Sequence, residues 1–168
     1  MSERTLTVLY NKQKYVAGVF THRGLYATSL PRNTREDAIK SVTGTGIPEV
    51  SDESKKEILR LVFEITEGSQ PIDTSKIDFD FTGLTPKQIA VLKTTMKIPR
   101  GKTLTYGQVG EKAGLINAAR FVGNVMATNR FAPIIPCHRV VAVNGMGGYT
   151  IGVDIKIELL RKEGAITD

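Results

Sequence analysis

The spacing of apolar residues changes near residue 84, and this change restricts the possible folds more than any other feature of the sequence. Residues 6–31, LTVLYNKQKYVAGVFTHRGLYATSLP, contain three strand-like runs separated by polar turns at Asn11–Lys14 and His22–Gly24, the pattern of an antiparallel sheet. Beyond residue 84 the apolar residues recur mainly at helical spacing. We therefore predict an α+β protein with an N-terminal α/β domain (residues 1–83) and a C-terminal helical domain (residues 84–168).

Two helices are predicted within the N-terminal domain. NTREDAIKSV begins with Asn33 as candidate cap, and SDESKKEILRLVFEITEG has Ser51 or Asp52 as cap and Gly68 at its end. The next segment, residues 69–83, alternates again and is predicted to form a strand plus a connection.

Helix signals follow one another in the C-terminal domain. Thr85 is the predicted cap of a helix that stops at Pro99–Gly101. TYGQVGEKAGL and NAARFVGNVMATN are two short helices separated by Gly114–Ile116, which predicts a helix-turn-helix. A loop containing Cys137 follows, and VDIKIELLRKEG predicts a last helix.

The composition excludes several classes of protein. Of the 168 residues, 40% are hydrophobic and 24% are charged, as in ordinary globular domains rather than disordered chains. No apolar run reaches the ~18 residues of a membrane span, and MSERTLTVLYNKQKYV does not resemble a secretory signal. The single cysteine excludes an internal disulfide, so the expected location is a reducing compartment: the cytoplasm, or the nucleus in a eukaryote.

The excess positive charge lies entirely in the C-terminal half. Residues 1–83 carry 11 Lys and Arg against 12 Asp and Glu, whereas residues 84–168 carry 12 against 5, a net charge of +7. This asymmetry favours a polyanionic partner, because lysines and arginines that contact phosphates release condensed counterions. A solvated basic surface explains the charge equally well.

The second helix of the predicted helix-turn-helix has two faces. Its inward face is predicted to contain Ala118, Val122, Val125 and Met126, and its outer face to contain Arg120, Gly123, Asn124 and Ala127. An outer face of small residues lets the backbone approach another surface, and a single arginine is able to enter a DNA groove. Packing against a neighbouring helix through glycine and alanine is at least as good an interpretation.

Cys137 lies in APIIPCHRVVAVNG, next to His138, and three uses of this pair compete. A structural zinc site is excluded, because one cysteine and two distant histidines do not supply about four ligands. A buried inert thiol is the usual role of a lone cysteine. A nucleophile is the third use, and it requires a nearby proton acceptor because a thiol of pKa ~8.5 is mostly protonated at neutral pH.

His138 is the candidate proton acceptor, directly or through a water molecule, if the backbone turns suitably. A third group should orient its imidazole. Glu163 is a candidate for this role, because it follows Leu159 by four residues and Leu160 by three. Burying a carboxylate on the apolar face of a helix costs free energy unless a cation or hydrogen-bond donor pairs with it. A solvated carboxylate near the helix end is the alternative.

Together these segments resemble the O6-alkylguanine-DNA alkyltransferase family, also called methylated-DNA–protein-cysteine methyltransferases. The resemblance rests on IPCHRVV, TYGQVG and NAARFVGNVMATN, and it covers about residue 84 to the C-terminus. It implies an active-site loop around Cys137 and DNA repair by irreversible, stoichiometric transfer of an alkyl group from O6-alkylguanine in duplex DNA after base flipping. It further implies a monomer that uses no cofactor and no metal, and it leaves O4-alkylthymine open as a second substrate.

The resemblance also implies the catalytic roles. Cys137 would be the alkyl acceptor, His138 the water-mediated base and Glu163 the partner of the histidine. Asn129 would link the recognition helix to the active-site loop. Tyr106 would rotate the target phosphate and protonate the departing guanine.

DNA and substrate contacts are implied in the same way. Arg120 would fill the stack vacated by the flipped nucleotide. The other implied DNA contacts are Thr105, Tyr106, Gly123, Asn124 and Ala127. The implied pocket residues are Pro136, Val140, Tyr149, Thr150, Ile151 and Lys156. Among these, Thr150 would donate to the base oxygen, and Lys156 would lie near the pocket mouth.

The sequence departs from the family pattern at three positions. Arg130 stands where proline usually follows the asparagine, Phe121 where a small residue is usual, and Ile151 where glycine or tryptophan is commoner. These changes leave the implied chemistry intact but bear on substrate breadth. Two other functions stay open: a non-enzymatic helix-turn-helix module that binds damaged DNA, and a cysteine hydrolase that turns over acyl substrates.

Overall fold

A computed structural model describes residues 3–43, 46–68 and 71–167. Its contacts divide the chain into two compact units: Met1–Thr82 with Arg130–Ile134, and Gly83–Asn129 with Ile135–Asp168. The division after Thr82 lies one residue before the predicted domain boundary. Arg130–Ile134, which the sequence assigned to the helical domain, instead belongs to the first unit. Within the described ranges, no helix is both long and apolar enough to cross a membrane.

The first unit contains a three-stranded antiparallel sheet in the order β1 (Thr5–Asn11), β2 (Lys14–Thr21), β3 (Gly24–Thr28). Lys12 and Gln13 close the β1–β2 hairpin, and both have positive φ, as a two-residue turn of this kind requires. A buried cluster of the unit consists of Leu6, Ala17, Val19, Ala27 and Ala38. The predicted N-terminal antiparallel sheet is confirmed.

Two helices pack on this sheet. Helix α1 (Arg35–Lys40) contacts β2, and α2 (Glu53–Thr66) contacts β1 and β2. The Asp52 side chain caps α2 by accepting hydrogen bonds from two N–H groups of its first turn, so one of the two predicted caps is confirmed. The apolar face of α2 buries four residues, namely Leu59, Val62, Phe63 and Ile65.

The cap of α1 is Thr34, and the prediction of Asn33 was wrong. Thr34 Oγ1 accepts a hydrogen bond from the N–H of Asp37 at 3.1 Å, which satisfies one free donor of the first turn. The side-chain oxygen of Asn33 instead accepts from Lys14 Nζ. The Asn33 side chain therefore contacts a distant strand residue and does not cap the helix.

The strand predicted in residues 69–83 is also wrong for the part that the structure describes, residues 71–83. This segment meets β3 at a single bridge, between Leu25 and Phe79. Asp80 Oδ1 accepts a hydrogen bond from the N–H of Thr82 at 2.9 Å, and such local bonding competes with a strand ladder. Residues 69 and 70 lie outside the described residues.

The second unit is mainly helical, and the predicted α+β class is confirmed. Its helices are α3 (Pro86–Met96), α4 (Tyr106–Lys112), α5 (Ala119–Ala127) and α6 (Val153–Lys162). Thr85 caps α3 as predicted. Two short strands that the sequence did not predict, β4 (Leu104–Thr105) and β5 (Val140–Val141), pair in parallel.

Helices α4 and α5 form the predicted helix-turn-helix. Thr105 caps α4 in a reciprocal capping box with Gln108. A Cβ atom added to the buried Gly110 would lie 3.2 Å from Ala118 Cβ, so the absence of a side chain lets the two helices approach. Since β4 precedes α4 directly and β5 follows the Cys137 turn, their pairing holds Tyr106 close to that turn.

Candidate active site

Cys137 begins a single 3-10 turn, Cys137–Arg139, directly after Pro136. The residue is only 5% exposed. Asn129 Nδ2 donates to the Ile135 carbonyl at 2.9 Å, and the Asn129 side chain also hydrogen-bonds the thiol. Asn129 therefore connects the end of α5 to the turn that carries the sulfur.

His138 is fully buried, and its Nε2 lies 2.9 Å from Glu163 Oε1. Because a carboxylate only accepts hydrogen bonds, this contact assigns the proton to Nε2 and leaves Nδ1 as an acceptor. Nδ1 is buried and has no hydrogen-bond partner among the described residues. His138 Nδ1 is therefore free to accept a proton, and the imidazole makes no direct hydrogen bond to the thiol.

Glu163 also binds Arg139, a site residue that the sequence analysis missed. Arg139 Nε and Nη2 donate to the two carboxylate oxygens at 3.0 and 2.8 Å, and Nη1 donates to the Ile98 carbonyl at 2.8 Å. Burial raises the pKa of Glu163, but hydrogen bonds and charge from His138 and Arg139 outweigh burial and lower this pKa to about 2. The acid on the apolar stripe is therefore paired and not solvated.

We expect ionised Glu163 to make stability depend on acid pH. Its folded pKa of about 2 lies below the ordinary value of 4.5, which corresponds to about 3 kcal/mol of stabilisation at neutral pH. This stabilisation is complete above about pH 4.5 and is lost as the pH falls toward 2. Urea unfolding at a series of pH values across this window measures the effect, and a free energy of unfolding that stays constant there contradicts the ion pair.

The thiol lies among groups that act on its ionisation in opposite directions. Burial raises the pKa of Cys137, whereas the Asn129 hydrogen bond, the charge of Lys156 and the nearby Tyr149 hydroxyl lower it. Lys156 is fully buried, and burial lowers its pKa to about 8. Burial also lowers the pKa of His138. The resting site therefore holds a protonated thiol and a neutral imidazole.

A cavity of about 390 Å³ has Cys137 in its wall. Its other lining residues come from α4, α5 and the loop before α6, and they are Tyr106, Gly123, Met126, Ala127, Gly148, Tyr149 and Thr150. Gly123 and Ala127 belong to the outer face of α5. The thiol and that face therefore share one concave surface.

The predicted pocket residues divide into two groups. Tyr149 and Thr150 line the cavity, whereas four others do not: Pro136, Val140, Ile151 and Lys156. Met126 and Gly148 line it without having been predicted. Met126 was assigned to the buried face of α5. The hydrophobic pattern does not distinguish a buried residue that lines a cavity from one that packs in the core, so Met126 was missed.

The side chains of two predicted pocket residues already have partners within the protein. Lys156 is not at the cavity mouth, because its Nζ is buried and donates to the carbonyls of Val140 at 2.6 Å and Gly148 at 3.2 Å. The Thr150 hydroxyl donates to the Ala127 carbonyl at 2.7 Å, so its proton is already used within the protein. The Tyr149 hydroxyl lies near the thiol but does not meet hydrogen-bond geometry with any described partner.

Tyr106 forms one side of the cavity and is held from two directions. Its hydroxyl takes a hydrogen bond from the Gly148 backbone, although burial raises its pKa. Lys156 Nζ lies 5.9 Å from its ring centroid. A Cβ atom added to Gly147, which has a φ of +72°, would lie 2.3 Å from the Tyr106 hydroxyl oxygen. Only glycine fits this position without moving the tyrosine.

Gly147→Ala is therefore expected to displace Tyr106 and to lower the free energy of unfolding by roughly 1–3 kcal/mol, through backbone strain and the clash. Gly145→Ala is the matched control, because a Cβ there meets no atom within 4 Å. Chemical denaturation of both variants measures the difference. Equal stability of the two variants contradicts the close contact.

The outer face of α5 agrees with the predicted pattern. Arg120, Asn124 and Ala127 are exposed and Gly123 is half-buried. The inward residues Val122, Val125 and Met126 are buried, whereas Ala118 is half-buried at the start of the helix. Thr105, a predicted DNA contact, uses its hydroxyl to cap α4.

Arg130, which replaces the usual proline, has a structural role within the first unit. Its Nε donates to the Tyr26 carbonyl at 2.7 Å, and its Nη2 donates to the carbonyls of Asp80 and Thr82 at 2.7 and 3.0 Å. The guanidinium also lies 4.1 Å from the centroid of the Tyr26 ring. Three carbonyl contacts thus account for the arginine. Nothing in the structure explains Phe121 or Ile151.

Reactive groups are concentrated around the thiol. Among the described residues, no group of three or more His, Cys, Asp and Glu side chains is arranged to hold a metal ion. His22, the other histidine, is exposed in the turn between β2 and β3. The candidate chemistry therefore belongs to Cys137 and its neighbours.

Comparison with known proteins finds a family match over nearly half of the chain. Residues 86–165 match the family described as 6-O-methylguanine DNA methyltransferase, DNA binding domain. A methylated-DNA–protein-cysteine methyltransferase of Saccharolobus islandicus is 47% identical over 79 residues, which are 47% of this chain and 51% of that protein. A protein of the same name from Shigella flexneri is 48% identical over 84 residues, 49% of each chain. The chain thus spans about half the length of these relatives, and the predicted resemblance is confirmed.

Solved structures resemble a larger part of the chain. Mycobacterium tuberculosis OGT in complex with DNA matches with a TM-score of 0.75 at 23% identity, over 96% of this chain and 93% of that one. The O6-methylguanine-DNA methyltransferase of the archaeon Pyrococcus kodakaraensis matches with a TM-score of 0.69 at 22% identity, over 96% and 99%. At these identities the likeness shows the fold, and it extends to the N-terminal unit, which the sequence motifs do not cover.

Proposed function

We propose that this chain, whose residues 86–165 belong to the 6-O-methylguanine DNA methyltransferase DNA-binding-domain family, repairs duplex DNA by accepting an alkyl group from O6-alkylguanine on Cys137. The observation that carries the proposal is the shared cavity, in which the buried thiol meets the outer face of α5. The relatives' names and the DNA complex of the Mycobacterium tuberculosis protein support DNA as the partner.

Activation of the thiol begins with His138. Its Nδ1 is buried and unpaired among the described residues, so a water molecule between this nitrogen and the sulfur would relay the thiol proton to the imidazole. Glu163 accepts a hydrogen bond from Nε2–H and stabilises the imidazolium that forms, and Arg139 holds the carboxylate in place. Burial raises the pKa of the thiol, and Asn129 and Lys156 oppose this effect by stabilising the thiolate.

The transfer step is an in-line displacement at the alkyl carbon. The Cys137 thiolate forms a sulfur–carbon bond while the bond between that carbon and the guanine oxygen breaks. The electron pair goes to the purine, which takes a proton from Tyr106, the hydroxyl that lines the cavity. The thioether is not readily hydrolysed, so each molecule acts once and no cofactor is consumed. O4-alkylthymine has the same alkyl–oxygen bond, and we propose it as a second substrate.

Access to the alkyl carbon requires the base to leave the helix, which costs a few kcal/mol. The exposed Arg120 lies on the small outer face of α5, where it would fill the space left in the base stack. The proposed DNA contacts all come from a single chain, and we therefore propose that the protein acts as a monomer. A thiol that must stay reduced fits a reducing compartment such as the cytoplasm.

Arg120→Ala is expected to slow repair of duplex DNA by about tenfold or more. The reason is that Arg120 would offset part of the few kcal/mol that base flipping costs. Reaction with free O6-benzylguanine, which needs no flipping, should change much less. Arg60→Ala on α2 removes the same charge from the other unit and serves as control. Equal losses on both substrates would remove the flipping role of Arg120.

Titration of the protein against duplex DNA containing O6-methylguanine tests the proposed function. We expect one methyl group transferred per molecule, after which the reaction stops. No transfer would instead identify a non-enzymatic module that binds damaged DNA. Repeated turnover on acyl substrates would identify a cysteine hydrolase.

A further inference from the structure

A second cavity in the helical unit, of about 520 Å³, shares no lining residue with the Cys137 cavity. It is lined by Thr94, Lys97, Ile98, Pro99, Lys102, Thr103, Leu104 and Lys112, and we call it the lysine groove. Its three lysines come from the end of α3, the connection to β4 and the end of α4. All three are exposed, and no acidic residue is found among the described residues of the lining.

The positive charge of the lysine groove is uncompensated. In the described part of the chain, none of the three lysines forms an ion pair with an acidic side chain. Three ammonium groups around one concave surface repel one another, so an anionic occupant would be favoured electrostatically. Ile98, Pro99 and Leu104 contribute apolar surface to the same cavity. An occupant that fits both features carries negative charge and an apolar group together.

The backbone of the groove does not favour a compact phosphate. The N–H groups of Lys97, Ile98 and Lys102 already donate, each at 3.1 Å, to carbonyls of the preceding turns. The groove also lies at the C-terminal ends of α3 and α4, whereas compact phosphate sites use the free N–H groups of helix N-termini. Recognition of an anion here depends on the flexible lysine side chains alone.

Nucleic acid fits the groove poorly as well. Its described lining holds no aromatic residue, whereas non-specific single-strand sites stack bases on aromatic rings. A cavity of about 520 Å³ is within the range of pockets that enclose a small ligand or a few side chains, and is too small to enclose a duplex.

We propose that the lysine groove binds a short acidic segment of a partner protein, with an apolar side chain on Pro99 and Leu104 and carboxylates on the lysines. This site is independent of alkyl transfer at Cys137. It would attach the protein to a partner without occupying the outer face of α5.

A fluorescence-anisotropy titration of the full chain tests this proposal. The probes are labelled nonapeptides that alternate aspartate with leucine or with phenylalanine, and the control peptides carry serine at the apolar positions. We expect saturable binding that salt weakens, and at least tenfold weaker binding of the serine peptides. The Lys97→Glu/Lys102→Glu variant should bind at least tenfold more weakly than the parent, whereas the matched variant Lys40→Glu/Lys76→Glu, which changes exposed lysines of the other unit, should bind as the parent does.

Two further measurements separate the loss of lysine charge from misfolding. Lys97→Gln/Lys102→Gln removes charge without reversing it and should show an intermediate loss. Circular dichroism and alkyl transfer from free O6-benzylguanine should be unchanged in these variants, because neither lysine lines the Cys137 cavity. Absence of saturable binding to either acidic probe, equal loss in the matched variant, or tighter binding of oligothymidine at the same lysines would each overturn the proposal.

Discussion

Cys137→Ser is expected to bind alkylated duplex DNA as tightly as the parent protein and to transfer no alkyl group. A serine hydroxyl is scarcely ionised at neutral pH, and a neutral imidazole, a hydrogen bond from Asn129 and one buried lysine do not ionise it. The outer face of α5, which carries the proposed DNA contacts, is unchanged. Anisotropy with a labelled duplex measures binding, and loss of O6-methylguanine from the same duplex measures transfer.

Cys137→Ala separates chemistry from packing in this experiment. Both variants remove the sulfur, but only serine keeps a group that can hydrogen-bond Asn129. We therefore expect serine to retain more stability than alanine and both to be equally inactive. Residual transfer by either variant would show that another residue accepts the alkyl group. A loss of DNA binding in a folded serine variant would show that the thiol has a binding role.

Glu163→Gln is expected to lower the free energy of unfolding by about 3–5 kcal/mol, the usual cost of breaking a buried ion pair. The amide would turn an N–H group toward Arg139 or His138, both of which donate to the carboxylate. The Arg139 charge would then lie partly buried without compensation. Transfer should also slow, because the imidazole loses the carboxylate that stabilises its protonated form.

Glu158→Gln is the matched control on the same helix. Glu158 pairs with Lys162 at 2.9 Å at the surface, where its side chain is 63% exposed, so we expect a change below about 1 kcal/mol. The difference in stability between the parent and Glu163→Gln should also shrink as the pH falls from about 4.5 toward 2. Similar destabilisation by both substitutions, or a difference that does not depend on pH, would contradict the buried ion pair.

The parts of the fold that the sequence predicted depend on local signals. Thr85 and Asp52 cap their helices as expected because capping joins residues only two or three positions apart. The hairpin turn at Lys12 and Gln13 is equally local. Asn33 shows the limit of such reasoning. The local pattern predicted that its side chain caps α1, but that side chain hydrogen-bonds Lys14 on β2 instead.

Long-range contacts were the main source of error in the site. The parallel pairing of β4 with β5 joins residues 104–105 to 140–141, and strands of two residues leave no periodic pattern. Arg139 was missed because its pairing with Glu163 spans 24 positions. Lys156 could have been recognised as buried. It precedes Leu159 by three residues and Leu160 by four, so the argument that identified Glu163 as an acid on an apolar stripe applies equally to this lysine.

Peptide mapping by mass spectrometry, after reaction with duplex DNA containing O6-methylguanine, tests the central claim most directly. The account predicts that the peptide containing Cys137 gains the mass of one methylene group, with fragmentation assigning the methyl group to the sulfur. An unmodified Cys137 peptide from a sample that has consumed the O6-methylguanine would contradict it.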